Sequence, residues 1–237
     1  WYRLNFDAPS FVKGKKATLI FDGAMSHARV YINGQEAGYW PYGYNTFYLD
    51  VTPYLKEGTK NTLAVRLENE TESSRWYPGA GLYRNVHLVV TEDAHIPTWG
   101  TQLTTPVVKD DYAKVNIKTT LVVPSGKQFD AYRIVTELKD KDGKVVTKKG
   151  EDVVNKNYAA VVSRPALWSP ETPVLYQAVS KVYEGNILKD EYTTSFGIRT
   201  IEVIPNKGFF LNGKRTSFKG VCNHHDLGPL GGAVNDA

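Results

Sequence analysis

The sequence predicts an all-β chain of two sandwiches, and three observations carry that expectation. Nearly every segment alternates apolar and polar residues with period two between turn residues. Asn33-Gly34, Asp142-Gly143 and Asn212-Gly213 each follow an apolar run and suit two-residue hairpin loops, because both positions accept positive φ. No window of about eleven residues holds the 3.6-residue spacing of an amphipathic helix.

In chain order, Ala17-Thr18-Leu19-Ile20-Phe21 and Ala28-Arg29-Val30-Tyr31-Ile32 read as strands leading into the Asn33-Gly34 turn. Asp50-Val51-Thr52-Pro53-Tyr54-Leu55 holds at most one helical turn, capped by Asp50 or Thr52. The first sandwich spans residues 1–93 and closes on Asn85-Val86-His87-Leu88-Val89-Val90, with Thr91 to Pro97 as a linker. The second, residues 94–204, holds Ile134-Val135-Thr136-Glu137-Leu138 and Lys144-Val145-Val146 about the Asp142-Gly143 turn and ends on Thr200-Ile201-Glu202-Val203-Ile204. Pro205-Asn206-Lys207-Gly208 marks a second boundary. Residues 205–237 then hold a hairpin, a strand Thr216-Ser217-Phe218-Lys219-Gly220-Val221 and a glycine-rich apolar loop. They are too few for a domain and read as the start of one.

With 41% apolar and 23% charged residues, the 237-residue chain has the composition of a folded globular protein. The net charge of +4 is dispersed, with lysines in turn-like segments beside glycine, so nucleic acid is not expected as a partner. A single cysteine, Cys222, makes no internal disulfide and reads as a small buried hydrophobe. No apolar run is long enough for a membrane span, no leader segment precedes Trp1, and a start on Trp suggests processing or excision.

Aromatic residues Trp1, Tyr2, Tyr39, Trp40, Tyr42, Tyr44, Trp76 and Tyr77 crowd the first sandwich. Each suits either packing between layers or stacking on the C–H face of a sugar. Arg75-Trp76-Tyr77-Pro78-Gly79-Ala80-Gly81-Leu82-Tyr83-Arg84 is a loop whose proline and glycines fix a tight course. Arg84 is expected to tie it to its own domain, whereas Arg75 suits an interdomain or a ligand contact.

Near the C-terminus, Gly220-Val221-Cys222-Asn223-His224-His225-Asp226 gathers two histidines and a carboxylate, with His224 and Asp226 on one face by alternation. Hydrogen bonding to vicinal sugar hydroxyls fits these residue types, and a structural polar network is the alternative. His-x-Asp supplies too few ligands for a closed metal site, so neither metal nor cofactor is expected.

Together, residues 74–84, Leu167-Trp168-Ser169-Pro170-Glu171-Thr172-Pro173-Val174-Leu175-Tyr176, Phe196-Gly197-Ile198-Arg199 and residues 220–226 resemble glycoside hydrolase family 2, the β-galactosidase and β-glucuronidase family. The resemblance implies a jelly-roll sugar-binding domain, here incomplete at its N-terminus, then an immunoglobulin-like β-sandwich and the first strand of a truncated (β/α)8 barrel. It implies that Asp226, His224, His225 and Arg75 bind a terminal β-galactoside or β-glucuronide. Where another galactosidase branch places a jelly-roll aspartate, this chain has Ser74. The paired catalytic glutamates, about 5–5.5 Å apart in a retaining enzyme, come from later barrel strands, so none is expected in this chain. Asn69-Glu70 reads as a solvated or capping pair. The resemblance further suggests export to the periplasm or cell exterior, and a homo-oligomer of the full-length form.

Overall fold

The computed structural model describes residues 1–8, 14–70, 72, 79–151 and 157–222. The architecture is all-β, with nineteen strands among the described residues and two short 3-10 turns, Thr52–Tyr54 and Phe129–Ala131. Trp1–Thr91 and Glu92–Gly220 belong to two compact units.

In the first unit the strands are β1 (Tyr2–Asp7), β2 (Lys16–Phe21), β3 (Ala24–Met25), β4 (Ala28–Ile32), β5 (Gln35–Trp40), β6 (Phe47–Asp50), β7 (Lys60–Arg66), β8 (Gly81–Leu82) and β9 (Val86–Thr91). They form an antiparallel sheet β1-β7-β4-β5, a sheet β6-β2-β9 and a two-stranded pair β3-β8. The period-two reading holds residue by residue in β4, where Ala28, Val30 and Ile32 are buried and Arg29 and Tyr31 face outward. The core joins those side chains to Leu19, Phe21, Leu63 and Val65, with the Phe47 ring stacked on Phe21 at 4.8 Å and on Trp40 at 5.6 Å.

The Asn33-Gly34 turn has φ of 52° and 83° and joins β4 to β5 as expected. Asn33 also accepts a hydrogen bond from Thr62 N and donates to Asn61 Oδ1 and Tyr54 O. Asp50 Oδ1 accepts from Thr52 N at the single expected helical turn.

The second unit contains β10 (Thr101–Val108), β11 (Tyr112–Thr119), β12 (Tyr132–Lys139), β13 (Val145–Glu151), β14 (Asn157–Ser163), β15 (Tyr176–Glu184), β16 (Ile187–Phe196), β17 (Ile201–Ile204), β18 (Gly208–Leu211) and β19 (Lys214–Arg215). Sheets β10-β11-β14 and β13-β12-β15-β16 supply the core residues Val115, Ile117, Leu138, Val162 and Ala178. The Asp142-Gly143 turn joins β12 to β13.

Two of the motifs prove to be one structural joint. Trp168 N donates to Ile198 O, Arg199 lies 4.9 Å over the Trp168 ring, and a Cβ on Gly197 would stand 2.7 Å from that of Trp168. Asn212, in the turn between β18 and β19, donates to Trp168 O and accepts from Thr200 N. Pro205-Asn206-Lys207-Gly208 turns β17 into β18, with Lys207 N donating to Ile204 O.

The strand expected over Thr216–Val221 is not formed. β19 ends at Arg215; Thr216 N still donates to Phe209 O of β18 at 2.9 Å, and residues 217–222 pair with no strand among the described residues. Alternation alone does not make a strand, because its backbone groups need a partner ladder, and among the described residues none continues past the Thr216 bond to Phe209. Cys222, expected to be buried, is exposed for the same reason.

Candidate functional site

Three segments of the first unit meet at the ends of its strands: residues 22–27, residues 41–46, and the two arms that flank residues 73–78. The first arm is held by reciprocal bonds, Glu68 N donating to Ser26 O at 2.9 Å and Ser26 Oγ donating to Glu68 O at 2.7 Å. His27 continues the brace, donating from its backbone to Pro41 O. Its Nδ1 lies 2.7 Å from Tyr39 Oη and its Nε2 lies 3.9 Å from Glu70 Oε1. Glu70, read with Asn69 as a solvated or capping pair, faces a histidine, and both side chains stay accessible to water.

The second arm is fixed by pairing of β8 with β3, Leu82 opposite Ala24 and Gly81 opposite Met25. Gly81 has φ of 116° and lies against the Tyr2 hydroxyl, where a side chain has no room. Tyr83 Oη donates to Gly43 O at 2.7 Å, tying this arm to the middle loop. Burial pushes the Tyr83 phenol up from 10.0, and the Arg84 charge opposes that shift. Arg84 lies 5.3 Å from the centre of the Tyr83 ring and reaches Asp22 O at 3.5 Å, so it holds the loop to its own unit as expected. Asp22 also receives His87, Nε2 to Oδ2 at 3.1 Å.

The middle loop carries the apolar rim. Tyr42 and Tyr44 meet edge to face at 5.5 Å, and Tyr42 is 52% exposed, leaving ring surface for a ligand to stack on. Gly43 between them is packed on the Met25 sulfur. The arrangement is a set of aromatic edges with histidine, carboxylate and guanidinium groups alongside, which suits an amphipathic, hydroxylated ligand. Among the described residues no group of three metal-ligating side chains comes together.

Arg75, Ser74, Trp76 and Tyr77 lie outside the described residues, as do His224, His225 and Asp226. Sequence reasoning had singled out Tyr39, Tyr42 and Tyr44 but missed the Ser26–Glu68 brace, His27 and the Tyr83–Gly43 bond. The Ser26–Glu68 and Tyr83–Gly43 bonds join residues about forty apart in sequence, and no local pattern signals them.

Residues 1–92 match the family model described as glycosyl hydrolases family 2, sugar binding domain, and residues 94–199 match the one described as glycosyl hydrolases family 2. The chain belongs to glycoside hydrolase family 2. A β-galactosidase of Bacteroides ovatus is 43% identical over 99% of this chain and 28% of its own length. A putative β-glucuronidase of Formosa agariphila is 37% identical over 98% of the chain and 22% of its own length. Among solved structures, a family 2 glycosyl hydrolase from Bacteroides cellulosilyticus superposes with a TM-score of 0.90 and 36% identity, over 99% of this chain and 31% of that one. The chain therefore spans about a third or less of the family 2 relatives it matches.

Proposed function

We propose that this chain is the N-terminal, non-catalytic portion of a retaining exo-β-glycosidase that removes terminal β-galactosyl residues. On this reading residues 1–93 are the sugar-binding jelly-roll, 94–204 the immunoglobulin-like sandwich and 205–237 the opening of a (β/α)8 barrel. The observation that carries it is the 43% identity to a β-galactosidase along 99% of the chain. The braced loops of residues 22–27 and 41–46 are consistent with it, since they hold aromatic edges beside polar groups at one end of the first unit.

In the whole enzyme, Arg75 and the cluster His224, His225 and Asp226 contact hydroxyls of the terminal sugar. The acid/base and the nucleophile are two glutamates from barrel strands beyond this chain. Catalysis then needs the barrel, and the chain alone is inert. A β-glucuronidase of the same family is the second reading, favoured by the relatives at 37% and 32% identity that carry that name. The two differ in whether the pocket offers a cation to the sugar carboxylate.

The deciding experiment is the intact mass of the native gene product together with its hydrolysis of nitrophenyl β-galactoside and β-glucuronide. A product several-fold heavier than this chain, active on the galactoside, is the expected result. Asp226→Asn in that product should then raise KM for the galactoside. A native product that ends at Ala237 and is inert on both substrates would overturn the reading and leave a carbohydrate-binding or structural sandwich.

A further inference from the structure

A cleft in the second unit is built wholly from residues between 140 and 195, none of which the glycosidase reading uses. Its volume of about 660 Å³ falls within the roughly 300–1,000 Å³ of small-molecule sites. The β12–β13 turn lines it through Asp140 and Lys141, and the segment before β15 through Pro173 and Leu175. Gln177 of β15 and Ser195 of β16 complete the lining. They stand opposite one another in register, both exposed on the outward face of the sheet β13-β12-β15-β16.

Both flanking segments are fixed in advance by their own hydrogen bonds. Asp140 Oδ1 accepts from Asp142 N at 3.0 Å and from Lys144 N at 2.9 Å, and Gly143, with φ of 80°, donates to Asp140 O. In the other segment Ser169 N donates to Thr172 O, Thr172 N to Ser169 Oγ at 3.1 Å, and Val174 N to Thr172 O at 2.8 Å. Asp140 and Lys141 are the only charged side chains in the lining; they are opposite in sign, and Lys141 already pairs with Asp142 at 2.8 Å. Lys139 stands beside Gln177 in register, Lys144 closes the turn, and Glu171, which feels the charge of Lys214, precedes Thr172. Charges of both signs therefore surround the cleft, and it presents no single-sign field.

We propose that this cleft binds a neutral oligosaccharide. The Gln177 amide and the Ser195 hydroxyl, cross-strand neighbours with Cβ atoms about 5 Å apart, hydrogen-bond to hydroxyls of one pyranose, and Pro173 and Leu175 cover its C–H face. An amide and a hydroxyl each donate and accept, which matches sugar hydroxyls that do the same. Because both flanking segments are already held, little ordering cost opposes binding. An extended peptide is disfavoured because Gln177 lies on β15, which is paired on both sides and offers no free ladder. Nucleic acid is disfavoured because carboxylates stand among the lysines and would repel a phosphate backbone.

The test is native affinity electrophoresis of the full chain through gels containing a soluble neutral β-galactan or a soluble neutral β-glucan, against a gel without polysaccharide. Retardation by at least one of the two polymers is the expected result. Gln177→Ala and Ser195→Ala should each weaken that binding about fivefold, and together they should remove it, every variant keeping the native circular dichroism spectrum. The same pair of substitutions should lower the retardation of the native gene product. No retardation by either polymer, a doubly substituted chain retarded like the parent, or a native gene product that the pair leaves unchanged would each overturn the proposal. Binding is read without hydrolysis, so its failure and that of the glycosidase reading are separable.

Discussion

Tyr83 donates its hydroxyl to the carbonyl oxygen of Gly43, across forty residues of sequence, and its ring fills the space a side chain on Gly23 would need. A Cβ on Gly23 would stand 2.6 Å from Tyr83 Cζ. This contact makes the loop end of the first unit one framework.

Because burial raises the folded phenol above its ordinary 10.0, folding favours the neutral form. That contribution is complete below pH 10.0 and is lost as pH rises from there through the folded value. Tyr83→Phe should cost about 1 kcal/mol at neutral pH through the lost hydrogen bond. It should also flatten the decline of stability above pH 10.0. Urea midpoints of parent and variant across that range check both, and parallel declines would remove Tyr83 from the account.

Local chemistry made the turns legible. Asn212 and Gly213 hold φ of 51° and 74°, a conformation few other residue pairs accept, and the dipeptide announces it. The strands of the core were legible for the same kind of reason, since alternation reports which face is buried. The Tyr83–Gly43 bond and the Ser26–Glu68 brace were not, because a hydrogen bond between distant segments leaves no period in either. At Thr216–Val221 alternation misled: the pattern is that of a strand, but strand pairing is a property of two segments.

Asn61 is fully buried and holds both ends of the turn before β7. Its Nδ2 donates to Lys56 O and Thr59 O, and its Oδ1 accepts from Lys56 N and from Asn33 Nδ2. Asn61→Ala strands several of these groups away from water and should cost about 2–3 kcal/mol. Asn61→Asp retains the acceptor but loses both donations and buries a carboxylate, so it should be no better tolerated. Chemical denaturation of the two variants measures this, and a loss below about 0.5 kcal/mol, the level of an ordinary surface substitution, would show that the network is dispensable.

Gly197 is needed for closeness to Trp168 rather than for backbone freedom. Its positional Cβ would meet Trp168 Cβ, Cγ and Cδ1 at 2.7, 2.9 and 3.2 Å. Gly197→Ala should therefore push the indole out of place, at about 1–3 kcal/mol. It should also loosen the Arg199 stacking and the Asn212 bond to Trp168 O. Near-ultraviolet circular dichroism would report the indole shift, and a spectrum and melting temperature equal to the parent's would refute the packing argument.

β17 is the edge of the sheet β17-β18-β19, and its residues Ile201 and Val203 share one face at 56% and 74% exposure. Phe218 and Val221 add further apolar surface at 77% and 93%. An edge strand with a free ladder and an apolar face is a template for pairing with another chain. The 237-residue chain should therefore self-associate as its concentration rises. Val203→Lys places a charge in the middle of that face, the device by which natural edges resist pairing, and should shift the equilibrium toward monomer. Sedimentation velocity over a hundredfold range of concentration tests both statements. A parent chain that stays monomeric throughout would show that the edge is too short to pair, whereas an oligomer indifferent to Val203→Lys would place the contact on another surface.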